Sequence, residues 1–362
     1  MSNPTLLLRT ILVVVFAGLP FAVRAQLTSA ALNFENELGT ENAIALNNFS
    51  LNSSHTQSGV AVGGAATIEN GSVLNQDNYY KDDPYSLRVY GQLTLAGGSD
   101  QSLNGGATFV QNGTTNVGLK DFPMNGGQQR VITFGSSSSA QPQIALNGNS
   151  GPPASTKFIG AADNYFTSRD SVLSSASSVF ANATAVTPTN TGGTLTFNAA
   201  PGTITVFNWD VAKQGSISQV AINAAAGSDA IINVFDVPGN NWSPSFNFIG
   251  NGATAASATR VLWNLEGNLN LTTDREWWGS ILGVGASITD DQDIDGQIFA
   301  DNLAVNSGEL HYDQFAPIPE PSTYATLAGL AALAVAAAHR RSRRKAGCTV
   351  SGVILDFSRR SE

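Results

Sequence analysis

Residues 279–305 read GSILGVGASITDDQDIDGQIFADNLAV, and the rest of the chain is best read outward from them. The stretch divides into two halves that align without a gap, Gly279 on Gly296 and Ile288 on Val305, a period of 17 residues. Residues 59–68, GVAVGGAATI, supply a third copy far upstream. In each copy a glycine opens the unit and a β-branched residue closes it. The residue four positions after the opener is small: Gly63, Gly283 and Ala300. Those at seven and nine positions are apolar: Ala66 and Ile68, Ala286 and Ile288, Leu303 and Val305. This alternation predicts strands with one buried face. A short strand, a small-residue corner, a second strand and a polar turn describe one coil of a β-solenoid. A single coil cannot bury its apolar face. Stacked coils can, each inward aliphatic contributing roughly 1.5–3 kcal/mol. The expected fold is therefore mainly β, a β-solenoid or β-helix-like domain. The competing reading is a β-sandwich built from unrelated strands of a Gly- and Ala-rich chain.

The same alternation recurs elsewhere. Strands are expected over Leu87–Leu95, Leu103–Val110, Leu195–Phe197, Ile204–Trp209, Val220–Ile222, Ile231–Phe235 and Val261–Leu265. Asn-Gly pairs beginning at Asn70, Asn104, Asn112, Asn125 and Asn147 mark turns, because both residues tolerate positive φ. Residues 33–49 look ordered but irregular, and the Ser-, Gly- and Pro-rich residues 135–156 read as a long surface loop. One segment departs from the β pattern. Phe158, Ala162, Tyr165, Phe166, Val172, Leu173, Ala176, Val179 and Phe180 recur at three- and four-residue steps, predicting an amphipathic helix over about 161–183 that flanks the sheets.

The termini read as sorting segments. Arg9, the apolar run Ile11–Ala22 and the small residues Val23 and Ala25 at the cleavage positions predict a signal peptide over 1–25, cleaved after Ala25. At the other end Pro319-Glu320-Pro321 sits in a stiff linker, followed by the uncharged run Tyr324–Ala338 and a basic block containing Arg340, Arg341, Arg343 and Arg344. An apolar helix capped by cations predicts a single, marginal transmembrane helix with the cluster on the cytoplasmic side of the inner membrane. The predicted organisation is 1–25 signal peptide, 26–316 β domain, 317–345 sorting signal and 346–362 polar tail.

Between 26 and 318 there are nine Lys and Arg against 24 Asp and Glu, a net of −15. That balance excludes nucleic acid as partner, since phosphate binding needs basic stripes. The chain has one cysteine, Cys348, so an exported domain must be held by its core rather than by disulfides.

The three-part C-terminal order, Pro319-Glu320-Pro321, apolar run and arginine cluster, resembles the PEP-CTERM sorting signal of Gram-negative bacteria. The tail after Lys345 departs from the usual pattern, which ends near the cluster. The resemblance implies an exosortase-type processing enzyme as partner, cleavage near Pro319-Glu320-Pro321, transient residence in the inner membrane, and release to the cell surface or the exopolysaccharide matrix. The exported region resembles the choice-of-anchor A family of bacterial adhesive domains. The resemblance is carried by residues 41–49 and 59–64, Val261–Leu265, Trp278–Leu282, Gly296–Ile298 and Gly308–His311. It implies adhesion or matrix structure rather than a reaction. The strand–helix–strand order is also similar to ice-binding-like adhesins.

Candidate sites are few. Asp291, Asp293 and Asp295, followed by Gly296, match the first half of an EF-hand loop and predict a Ca²⁺ site, although the twelfth position is Asn302 rather than Glu. No other cofactor is indicated. Trp277 and Trp278 are adjacent, so on a strand one points inward and the other could stack on a sugar. No catalytic constellation stands out. His55 and His311 are far apart in sequence, and His311 reads as a capping residue. The expected function is a non-enzymatic surface or extracellular-matrix protein, an adhesin of biofilm type that binds exopolysaccharide through a face rich in Ser, Thr and Asn. The alternatives are an enzyme acting on extracellular polysaccharide and an ice-binding-like adhesin. The latter would need a row of outward threonines, and the sequence displays no regular one.

Overall fold

The computed structural model describes residues 24–318, except 78–84, 98–100, 105, 111–116, 125–126, 135–143, 148–155, 160–161, 225–226 and 251–253, together with isolated positions between 329 and 336. The signal peptide before 24, Cys348 and nearly all of the sorting signal lie outside the described residues. Among the described residues no helix is long and apolar enough to cross a membrane; the transmembrane helix expected at 324–338 lies almost wholly outside them. The chain divides into two units, 1–318 and 319–362.

The first unit is mainly β, and its largest sheet is built of parallel strands. Along this sheet the order is Thr156–Ile159, Gly106–Val110, Tyr85–Val89, Gly59–Val62, Glu41–Asn52, Ile298–Val305, Ser280–Asp290, Val261–Leu265, Asp229–Phe235 and Ile204–Asp210. The chain enters this sheet at its middle, through Glu41–Asn52. Successive strands step outward to Thr156–Ile159. A helix then carries the chain to Ile204–Asp210 at the other edge, and the later strands step back until Ile298–Val305 closes on Glu41–Asn52. First and last strands are thus neighbours, which no local signal encodes.

The 17-residue repeat holds through its first half, with Ile281 beside Ile298 and Gly283 beside Ala300. It then slips. Ser287 pairs with Asn302, and Ile288 with Leu303 rather than with Val305. The reason is a bulge between Gly283 and Ser287, where Gly285 takes φ +76° and donates its N–H to Asp301 Oδ1 at 3.2 Å. Ile68, Leu51, Val305 and Asp290 still share one column across adjacent strands.

Both faces of the first half of the sheet are buried, which is why Val261–Leu265 and Gly59–Val62 are continuously buried rather than alternating. One face turns to an aromatic and aliphatic core containing Val60, Ala43, Ile298, Ile281, Trp263 and Ile232. The other is covered by two helices. The first, α1 (24–38), presents Leu27, Ala30, Ala31, Phe34 and Leu38 to the sheet. Its three- and four-residue spacing is legible in the sequence but masked by the adjoining apolar leader. The irregular structure expected from 33 is therefore helix to 38 and strand from 41, and Ala25 sits exposed in the helix's first turn. The second, α2 (Tyr165–Ala181), buries Phe166, Leu173, Ala176 and Phe180. It is shorter than the predicted 161–183, and Phe158 belongs to a strand. A further correction falls at 135–156, where Ile144–Asn147 is a strand rather than part of a loop.

A ladder of buried amides seats α2. Asn233 Nδ2 donates to Phe180 O at 2.8 Å and to Asn208 Oδ1 at 2.9 Å, while Asn264 Nδ2 donates to Asn233 Oδ1 at 2.9 Å and to Ser177 O at 3.2 Å. The ladder ties the sheet to carbonyls near the helix's C-terminal end, of which Phe180 O lies beyond the last intrahelical acceptors and also takes the Ala183 N–H at 3.2 Å. Asn233→Leu should cost about 2–3 kcal/mol by removing three hydrogen bonds, one of them accepted from the buried Asn264 amide. Urea denaturation measures the loss, and hydrogen exchange should localise it to α2. Unchanged exchange there would count against this role.

Candidate functional site

Two surfaces stand out, and both arise from strand register. The first is the outer face of the sheet formed by Leu93–Ala96, Ala66–Glu69, the second half of Glu41–Asn52, Ile298–Val305, Ser280–Asp290 and Asn270–Thr273. Here burial alternates. Inward residues such as Phe49, Ala66, Leu303, Ile288 and Leu271 fill the core. Between them the pairing aligns Thr94, Thr67, Ser50, Ala304, Thr289 and Thr272 in a single outward row. Five of the six carry hydroxyls, and neighbours stand one strand apart, about 4.8 Å. The sequence shows no threonine row because its members come from six strands scattered between 50 and 304.

A second row runs beside it: Asn48, Asn302, Ser287, Asn270 and Asn241. Asn48 Nδ2 donates to Asn302 Oδ1 at 2.9 Å, Asn302 Nδ2 to Ser287 Oγ at 3.0 Å, and Asn270 Nδ2 to Asn241 Oδ1 at 2.9 Å. These bonds fix the orientation of each amide. The two rows contain no charged side chain.

The second surface is a short parallel sheet of Trp277–Trp278, Ile294–Asp295 and Leu310–His311, extended by a bridge from Thr56 to Leu310. Trp277, Ile294 and Leu310 point inward. Trp277 is 1% exposed and packs on Trp263, with ring centroids 4.9 Å apart, which removes it from any ligand-stacking role. Trp278 is half-buried, and its carbonyl accepts from Trp263 Nε1 at 2.8 Å.

The outward positions of this sheet gather carboxylates and histidines. His55 Nε2 lies 2.8 Å from Glu309 Oε2, and His311 Nε2 lies 3.3 Å from the same oxygen. His311 Nδ1 is bonded to Asp295, which is almost fully buried. The backbone N–H of Glu309 donates to Asp293 Oδ1 at 3.1 Å. The hydrogen bond that His311 donates to Asp295, with a smaller contribution from the one to Glu309, pushes His311 up to about 9 against the opposing effect of burial. Asp313 is raised to about 6 by burial and by Asp295. Glu276 is raised by burial, then by Asp295 and Asp293.

The three predicted calcium ligands separate here. Asp291 accepts from Asn306 Nδ2 at 2.9 Å at the edge, Asp295 holds His311, and Asp293 instead joins Glu309 and His311, with donor atoms within 4.8 Å of one another. Sequence reading misses Glu309 and pairs His311 with nothing. The signal is present in the repeat. A strict 17-residue step would set Ile294 on His311; the pairing is one residue shorter, so that Asp293-Ile294-Asp295 lies on Glu309-Leu310-His311, an aliphatic residue flanked by ligand-type side chains in both.

A family model described as "Putative Ice-binding-like adhesive domain" matches residues 39–312, and one described as "PEP-CTERM protein-sorting motif" matches residues 317–344. No curated protein matches. Among solved structures, the chain is similar to an ice-binding protein from the Antarctic ascomycete Antarctomyces psychrotrophicus, at 14% identity and a TM-score of 0.31, over 63% of this chain and 94% of that one. It is also similar to an ice-binding protein from an Antarctic biological consortium, at 13% identity and a TM-score of 0.26, over 76% of this chain and 87% of that one.

Proposed function

Because the chain belongs to the ice-binding-like adhesive domain family over residues 39–312 and carries a PEP-CTERM motif behind that domain, we propose that it is an adhesive or structural component of the bacterial cell surface or extracellular matrix. The motif marks an exported surface protein and implies processing by an exosortase-type enzyme. The finer parts of the reading are a Gram-negative host, kinship with choice-of-anchor A domains, a β-solenoid made by the stacked parallel strands, exopolysaccharide as ligand and the lack of an enzymatic role.

The observation that carries this reading is the pair of polar rows on one sheet face. Hydroxyls and amides repeat at strand spacing on a rigid support, and the amide ladder orients its donors before any ligand arrives. Preorganisation of this kind reduces the entropy lost on binding. An uncharged, hydroxyl-rich polymer such as a neutral polysaccharide offers matching donors and acceptors along its length.

The test is saturable binding of the purified chain to the exopolysaccharide of its own organism. Thr67→Arg and Thr289→Arg place long cations on the row. Each should weaken binding at least about tenfold, a loss of about 1.4 kcal/mol, without lowering Tm. Wild-type affinity in both variants would count against this face, and depolymerisation of the polymer would favour the enzyme reading. The hydroxyl row also favours a second reading, ice binding, despite its interruption at Ala304. Thermal hysteresis that disappears in Thr289→Arg would support it.

A further inference from the structure

We propose that Asp293, Glu309 and His311 bind a divalent transition-metal ion of the zinc class on the outer side of the short parallel sheet. Two strands supply the ligands. Asp293 immediately precedes Ile294–Asp295, and Glu309 and His311 flank Leu310 on the neighbouring strand. Their donor atoms all lie within 4.8 Å of one another. Neighbouring donors around a tetrahedral zinc stand about 3.3–3.5 Å apart. Glu309 Oε2 and His311 Nε2 are already 3.3 Å apart.

Each ligand is held by a second group. Asp295 takes His311 Nδ1 and aims Nε2 at Glu309, so that an ion would take the place of the proton between Nε2 and Glu309 Oε2. A buried carboxylate behind a histidine is the arrangement that fixes tautomer and ring orientation in metal sites. His55 Nε2 reaches Glu309 Oε2 from the side, and Asp293 Oδ1 accepts the Glu309 N–H while its second oxygen is uncommitted by that bond. The donor chemistry selects the ion. One imidazole and two carboxylates suit zinc, whereas calcium takes six to eight oxygens and has no use for the nitrogen. Three protein ligands leave a coordination position open to solvent or to a group on another molecule. An ion here would tie Leu310–His311 to Ile294–Asp295 just ahead of the segment that leads to the sorting motif. The site is on a different sheet from the polar rows, so its failure and that of the adhesive reading are distinguishable.

Isothermal titration of the chelator-stripped full chain with zinc alone should show one saturable site, and cobalt should give a tetrahedral visible spectrum. Asp295→Asn is expected to lower zinc affinity about 10–100-fold although it removes no ligand. Asp293→Asn, Glu309→Gln and His311→Gln should lower it further, and Asp291→Asn should leave it unchanged. Metal-free Tm is measured for each variant, so that a fold defect is recognised, and Asp293→Asn, a change at a half-buried side chain, keeps the test open if His311→Gln does not fold. Absence of saturable zinc and cobalt binding overturns the proposal. So does zinc binding that Asp293→Asn and Glu309→Gln leave intact, or calcium binding that depends on Asp291 in place of zinc binding.

Discussion

Trp263→Ala should bring the domain close to unfolding, with a loss of about 3–5 kcal/mol in urea denaturation. Trp263 is fully buried at the centre of an aromatic cluster, 4.9 Å from Trp277, 5.8 Å from Phe248 and 6.2 Å from both Phe197 and Trp209 by ring centroid. These rings come from different strands, so removing the indole opens a cavity that no single neighbour can fill. The Trp278 carbonyl also loses its indole donor. Total stabilities of about 5–15 kcal/mol leave little reserve for such a loss. Trp263→Phe keeps most of the volume and should lose far less. A deficit below about 1 kcal/mol for the alanine variant would mean that the cluster is not the centre of the core.

Asp290→Asn should abolish a large part of the domain's pH dependence. Asp290 lies in the inward column between Thr273 and Val305 and is fully buried. Burial raises its carboxyl from 3.8 to about 8, outweighing hydrogen bonds from Thr273 Oγ1 and the Gln292 backbone, and the charges of Asp293 and Asp291 push in the same direction. The folded state therefore keeps the proton where the unfolded chain has released it. The resulting stability is fully present below about pH 4 and is lost as pH rises through about 8, a swing of roughly 6 kcal/mol. The asparagine variant has no proton to lose. Its advantage over the wild type should be near zero at pH 4 and greatest at pH 9. A constant difference between these limits, measured by chemical denaturation, would show that Asp290 does not ionise with the fold.

Asp290 also illustrates how far the sequence can be read. In the linear chain it belongs to the polar turn Thr289-Asp290-Asp291-Gln292, and only its two-residue spacing from Ala286 and Ile288 separates it from Asp291. Asp290 faces inward because the alternation of Ala286 and Ile288 runs on to it at the end of strand Ser280–Asp290. The bulge at Gly285 shifts the register by two residues, which keeps the faces and moves Ile288 from Val305 to Leu303. Strand alternation makes Trp277 and Trp278 face opposite ways, but which one is buried depends on Trp242, Phe246 and Trp263, which lie elsewhere in the chain. The half-site at Asp291, Asp293 and Asp295 is visible as a motif. Its dispersal is not, because Glu309 and His311 reach Asp293 only through strand pairing.

The amino-acid sequence by itself determined the local and periodic features. These are a mainly β chain with small-residue corners, one flanking helix at about 161–183, an acidic exported region and a three-part sorting signal. Each is encoded in neighbouring residues, through alternation, helical spacing or charge order. Only the tertiary structure decided what lies beside what. It joined the first strand to the last, assembled the threonine row from six strands, and brought His55, Glu309 and His311 to one edge. Such contacts depend on register between segments up to 250 or so residues apart, where a shift of one residue costs little locally and changes which side chains meet water.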